Sequence, residues 1–173
     1  TRRKMKIIAG EYKYRKIEVP REIRPTTEKV REAIFSMIND WIPNAVVFDV
    51  FAGSGVMGLE ALSRGAAKCY FNEVDRQNFK VLNLNITHCK AHNKSLLFHY
   101  DYLRAISKIE EKIDIFIIDP PYHNFDYYEK CFLLIQEKRI LDEGAIVVAE
   151  HVFRDKLCNE YGGLKKIKEK KYG

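Results

Sequence analysis

Apolar and polar positions change period several times along this chain. Residues 5–20, "MKIIAGEYKYRKIEVP", break at Gly10 and Glu11, which predicts a hairpin whose second strand ends at Pro20. Beyond "RPTT", Val30, Ile34, Met37, Ile38 and Trp41 recur on one helical face, with Thr26 or Thr27 available as the cap. Short apolar runs then alternate with helical patterns. "AVVFDV" (45–50), "KCYFNE" (68–73), "SLLFHY" (95–100), "DIFIID" (114–119) and "AIVVAE" (145–150) read as strands. Between them come "GLEALSRG", stopped by Gly65, a helix around Phe79, Leu82 and Ile86, then "YLRAISKI" and a helix through residues 127–137.

Strands that read as continuous apolar runs and alternate with helices imply a parallel sheet covered on both faces. The expected class is α/β: a doubly wound, mostly parallel Rossmann-like sheet with helices on both faces and an N-terminal β-hairpin extension. Residues 1–173 read as one domain, with a basic hairpin over 1–22 and the α/β core over 23–173. A length of 173 residues, 46% of them hydrophobic, suits a single core.

Charge adds a partner to this picture. Residues 1–31 carry a net +7 and residues 154–173 a net +4, so the middle carries −5 of the overall +6. Clustered Lys/Arg at both ends of an acidic body favours a polyanion, and nucleic acid above all, because such clusters release counterions from phosphates. No apolar run reaches the roughly 20 residues of a membrane span, and the basic start lacks a secretory apolar segment, so a cytoplasmic protein without membrane partners is expected. Cys69, Cys89, Cys131 and Cys158 show no metal-ligand spacing with the five histidines, and no metal is expected.

In doubly wound sheets ligands bind beyond the carboxyl ends of the strands. The first core strand leads into "DVFAGSGVMG", where Gly53, Gly55 and Gly58 form a G-x-G-x-x-G that lets backbone approach a ligand. The second ends at Glu73, 24 residues after Asp49, suited to accept from ribose hydroxyls. The third ends at Asp101, suited to accept from an exocyclic amine. The series describes a site for an adenosine-containing ligand, and two cofactors fit: NAD and S-adenosylmethionine.

The fourth strand discriminates between them, because it stops at "DPPY", residues 119–122. An aromatic exocyclic amine is a poor nucleophile, since its lone pair is delocalised into the ring. Two prolines make a stiff loop that can aim acceptors. The Asp119 carboxylate and the Pro120 carbonyl can accept the two amine hydrogens, and Tyr122 offers a stacking ring. Such positioning can supply roughly 7–11 kcal/mol in favourable systems. Methyl transfer uses this loop, whereas hydride transfer leaves it without a purpose. His123 and the Glu150–His151 pair read as bystander and structural residues, and Tyr127, Tyr128 and Phe132 as packing.

With these residues in place, the chain resembles the class I S-adenosylmethionine-dependent methyltransferases, and within them the RsmD family of 16S rRNA guanine-N2 methyltransferases. The resemblance rests on "IIAGEYKYRKIEVP", "RPTTEKVREAIF", "VFDVFAGSGVMGLEALSRGA", "FNEVDR", "DIFIIDPPY", "AIVVAEH" and "EYGGLKKIKEKKYG". It implies that Asp49, Phe51, Ala52, Gly53, Ser54 and Gly55 form the loop for the cofactor's methionine end, Glu73 holds its ribose, and Asp101 with Tyr102 borders its adenine. Thr26, in the pre-helix segment, is a further binding candidate. Asp119, Pro120, Pro121 and Tyr122 would receive the target guanine. Arg2, Arg3, Lys4, Lys13, Arg15, Lys16 and Arg24 would meet rRNA, within the small ribosomal subunit or an assembly intermediate, and the protein would act as a monomer. Family members continue past "KKYG" through a last strand, so a further edge strand is expected. Asn72 before Glu73, and Tyr102 after Asp101, depart from the family pattern. The rival readings are an adenine-N6 methyltransferase, an NAD-dependent oxidoreductase and a non-catalytic RNA-binding assembly factor.

Overall fold

The computed structural model describes residues 2–21, 27–121, 125–150 and 159–168. Its centre is a five-stranded sheet of order β5-β4-β3-β6-β7, built from β3 (Val46–Asp49), β4 (Lys68–Asn72), β5 (Ser95–Phe98), β6 (Ile113–Ile118) and β7 (Leu141–Ala149), all pairs parallel. The chain starts in the middle at β3, moves outward through α2 (Val56–Ser63), β4, α3 (Arg76–His88) and β5, then crosses back through α4 (Tyr102–Ser107) to β6, and through α5 (Phe125–Lys138) to β7. The order therefore reverses between β3 and β6, the position at which doubly wound sheets bind their ligands.

Successive strand residues serve opposite layers, which explains why the strands read as unbroken apolar runs. Val47, Cys69, Phe71, Ile115 and Ile117 join a core with α1 (Glu28–Met37), α2 and α3. Phe48, Tyr70, Phe116 and Ile118 join a second core with α4 and α5. Burying a side chain such as Phe48 or Phe116 is worth roughly 1.5–3 kcal/mol, against about 0–1 kcal/mol for an exposed ion pair such as Arg2–Glu18. The two cores, rather than surface charge pairs, hold the fold.

The N-terminal hairpin, β1 (Arg2–Lys6) with β2 (Lys16–Pro20), pairs antiparallel and is part of the first core through Ile7, Tyr12 and Ile17. Polar contacts fasten it too. Glu60 on α2 accepts from the Ile8 and Ala9 amides at 2.9 and 3.2 Å, and buried Arg31 donates to the Lys6 carbonyl at 2.6 Å. Asn85 on α3 accepts from the Glu18 amide and donates to both the Glu18 and Ser54 carbonyls. The hairpin stem is thus bridged to the loop that follows β3 by one side chain.

Several boundaries differ from the sequence reading, for local reasons. The hairpin starts at Arg2 because backbone pairing extends through residues whose side chains are exposed. Thr27 is the cap of α1, its hydroxyl accepting from the Val30 amide at 3.2 Å. That helix ends at Met37, so Trp41 falls in a 3-10 turn, partly exposed, and its indole donates to the Gly144 carbonyl. β7 begins at Leu141, ahead of Gly144. A short hairpin, β8 (Glu160–Tyr161) with β9 (Leu164–Lys165), turns at Gly162 and Gly163 against Gln136 of α5; it has too few residues to leave a periodic pattern. Cys69, Cys89 and Cys131 are buried thiols.

Candidate active site

Every strand of the sheet is followed at its carboxyl end by an acid. Across the sheet these are Asp101 after β5, Glu73 after β4, Asp49 closing β3, Asp119 after β6 and Glu150 after β7. Four of the five were singled out from sequence. The sheet order sets Asp49 between Glu73 and Asp119, and Glu150 beyond Asp119.

On the β3–β5 side, the glycine loop and Glu73 are locked together. Gly53 and Gly55 have φ of +57° and +89°, and a Cβ on Gly55 would lie 2.5 Å from Leu82 Cδ1, so glycine is required there. A Cβ on Gly58 would lie 2.3 Å from the Phe71 ring, which is how α2 packs this closely on β4. Glu73 Oε1 accepts from the Gly53 amide and Oε2 from the Asp75 amide, both at 2.8 Å. Burial raises its carboxyl above the ordinary value, opposed by these two amides. Each oxygen keeps a second lone pair for a ligand hydroxyl. Asn72 ties three strand ends together: it donates to the Val50 and Tyr100 carbonyls and accepts from the Tyr100 amide at 3.1 Å. Its departure from the family pattern marks a brace for the site's floor. Ala52 and Ser54 are buried within the loop, and Phe51 is half-buried.

Asp49 is the buried centre. Its Oδ2 is buried with no hydrogen-bond partner. Burial pushes its carboxyl up to about 7, and the nearby Glu73 charge adds to this. A buried carboxylate with an empty acceptor beside a glycine loop is complementary to a cationic ligand.

Asp101 caps α4, Oδ2 accepting from the Leu103 amide at 3.2 Å. One oxygen is thereby committed to the helix. Tyr102 packs with Phe51 and Tyr127 in a trio whose ring centroids lie 5.0–5.7 Å apart. Burial raises the Tyr102 phenol to about 12. The trio forms an aromatic wall between the first and third strand ends.

On the β6–β7 side, Asp119 is pushed well above its ordinary range, first by burial and then by the Glu150 charge and side-chain hydrogen bond, with Asp49 contributing. The strand register pairs Ile118 with Ala149, so the next residues on each strand are these two acids. Glu150 was read from sequence as structural. Its placement beside Asp119 depends on β7 pairing with β6, which the order of elements alone does not specify. Pro120 is buried and Pro121 exposed. Tyr122, Thr26 and Arg24 lie outside the described residues, as does His123.

The basic hairpin residues divide into two kinds. Arg15 is committed to the fold, donating to the Cys89 carbonyl at 2.5 Å and lying over the Tyr12 ring. Arg2 pairs with Glu18. Arg3, Lys4, Lys13 and Lys16 are exposed, Lys13 over the ring of exposed Tyr14. Among the described residues, no helix is long and apolar enough to cross a membrane.

Comparison with known proteins supplies the context. Residues 5–173 match the family described as Conserved hypothetical protein 95. A relative named Ribosomal RNA small subunit methyltransferase D, from Buchnera aphidicola subsp. Acyrthosiphon pisum, is 35% identical over 85% of this chain and 78% of its own length. A Bacillus subtilis protein described as a candidate rRNA methyltransferase is 32% identical over 98% of this chain and 94% of its own. A solved Escherichia coli chain, described as a candidate methyltransferase, superposes with a TM-score of 0.89 at 29% identity, covering 99% of this chain and 93% of that one.

Proposed function

Starting from the fact that the chain belongs to the RsmD family of methyltransferases, we propose that it methylates the exocyclic N2 amine of a guanine in 16S rRNA, with S-adenosylmethionine as donor. The observation that carries this reading is the Asp119-Pro120-Pro121 loop leaving β6, the neighbour of the central strand β3, beside Asp49 at the point where the strand order reverses. The named relatives support rRNA as substrate. Guanine-N2 rests on the resemblance, since the residues themselves specify only an amine.

The acids also favour this cofactor over NAD. A pyrophosphate would meet Asp49, Glu73 and Asp119, whereas a sulfonium and an ammonium group are attracted by them. Asp49 and the loop from Phe51 to Gly55 would hold the methionine end, Glu73 the ribose hydroxyls, and Asp101 with the Phe51–Tyr102–Tyr127 wall the adenine. When bound, S-adenosylmethionine supplies an electrophilic methyl group.

The chain's own residues do the rest. Asp119 and the Pro120 carbonyl accept the two amine hydrogens, which fixes the nitrogen's approach and returns electron density to it. Tyr122 is assigned the stacking ring on sequence grounds. A base extruded from an RNA loop or helix end costs less to present than one from a stacked duplex, which suits a chain of 173 residues acting on a folded ribosomal subunit or its assembly intermediate. The exposed Arg3, Lys4, Lys13 and Lys16 would contact phosphates and position the RNA.

The test is transfer of labelled methyl from S-adenosylmethionine to small subunits lacking the modification, followed by nucleoside digestion and mass spectrometry. N2-methylguanosine in 16S rRNA is expected. N6-methyladenosine, or no label in the presence of measurable cofactor binding, would overturn the assignment.

A further inference from the structure

Glu150 has no part in the mechanism above, yet it is the acid nearest Asp119 across the strand pair. The Glu150 amide donates to the Ile118 carbonyl at 3.3 Å, which continues the β6–β7 ladder up to the acids themselves. The buried Tyr128 on α5 donates its hydroxyl to the Glu150 carbonyl, fixing the backbone from the other side. With the backbone held at both points, the register sets Asp119 and Glu150 side by side on neighbouring strands, and the Glu150 carboxyl raises that of Asp119. A hydrogen bond between two such carboxyl groups forms only when at least one holds a proton.

We propose that Glu150 is a positioning residue of the transfer site: it shares one proton with Asp119, so that the pair presents a single negative charge to the substrate amine and receives the proton that the amine loses. This rests on the methyl-transfer reading above. In the step concerned, an N–H bond of the methylated amine breaks, its electron pair stays on nitrogen, and the proton moves to the carboxylate of the pair. The pair thereby goes from a charge of −1 to neutral. Glu150, half-buried at the end of the outer strand β7, then returns that proton to water. The arrangement keeps the half-buried Asp119 from carrying a full charge in the resting protein while leaving one oxygen able to accept.

Among the described residues, the charged and titratable groups facing Asp119 are Glu150 from β7 and Asp49 from β3, while α5 presents the Tyr128 hydroxyl to the Glu150 carbonyl. Both acids raise the Asp119 carboxyl, as burial does. Removing the Glu150 charge must therefore lower it.

The experiment is a carbon-13 carboxyl NMR titration of the cofactor-free protein, with wild type beside Glu150→Gln and Glu150→Asp and the Asp119 signal assigned through Asp119→Asn. Wild type is expected to titrate at Asp119 in two coupled steps. Glu150→Gln should show one step, its midpoint lower by about one pH unit or more, while Glu150→Asp keeps the two-step form. In single turnovers, the step in the rate profile that marks loss of the shared proton should move to lower pH by the same amount in Glu150→Gln, with substrate KM within about twofold. An Asp119 midpoint that Glu150→Gln leaves in place would overturn the proposal. If that variant does not fold, a single simple step at Asp119 in wild type overturns it equally. The titration needs no substrate, so its failure is separate from failure of the guanine assignment.

Discussion

Glu73 and Asp119 sit one strand to either side of Asp49, and they are held in opposite ways. Both Glu73 oxygens accept main-chain amides, one from the glycine loop itself, so cofactor side and loop form one rigid unit. Asp119 instead faces Glu150 and Asp49, two further acids. The first arrangement fits a group whose task is to bind the same ligand in every cycle. The second crowds three acids together, which favours a hydrogen-bond donor such as a substrate amine. Binding and transfer are therefore expected to separate on mutation, along the line between β3 and β6.

The largest effect should come from Asp119→Ala, which removes the amine's acceptor. Methyl transfer is expected to fall about 10²–10⁴-fold, with S-adenosylhomocysteine affinity changed less than about threefold by calorimetry. A smaller change follows on the other side from Gly58→Ala. Its Cβ meets the Phe71 ring and Cys69, so α2 must move off β4, costing about 1–3 kcal/mol in denaturant unfolding and weakening cofactor binding with it.

Next comes the pH dependence of Asp49. Its carboxyl is raised to about 7 by burial, and a cationic ligand favours the ionised form, so affinity for S-adenosylmethionine should rise about fivefold to tenfold from pH 6 to pH 8 with proton release. The sign for stability is opposite. A carboxyl raised in the folded state contributes stability present below its unfolded value and lost as pH rises through about 7, so the cofactor-free protein should melt lower at pH 8 than at pH 5. Asp49→Asn should flatten both slopes; the measurements are calorimetry in two buffers and thermal melts across pH. The smallest effects belong to exposed hairpin lysines. Lys4→Ala, Lys13→Ala and Lys16→Ala should each weaken RNA binding about twofold or threefold and lower the salt dependence by about one counterion, read by filter binding across salt.

The acids of the first four strands were legible because each ends an apolar run whose sequence neighbours identify it. Asp49, Glu73, Asp101 and Asp119 all fall where those runs predict. Glu150 also ends such a run, but its meaning depends on which strand lies beside it, a fact of tertiary pairing. The same limit hid Asn85, whose amide joins the hairpin to the Ser54 loop across 31 residues and more, and Glu60, a buried acid inside an apolar helix. Arg15 counted toward the basic cluster, yet its bond to Cys89 spends it on the fold. Composition registers charge; it does not register which charges are already used.

The most direct test of this division is to measure S-adenosylhomocysteine affinity and single-turnover methyl transfer side by side in Asp119→Ala and Glu73→Ala. The account predicts that Asp119→Ala binds nearly as wild type and transfers poorly, while Glu73→Ala loses affinity about tenfold or more, with its remaining rate recovered at saturating cofactor. A loss of cofactor affinity in Asp119→Ala as large as its loss of rate would contradict it.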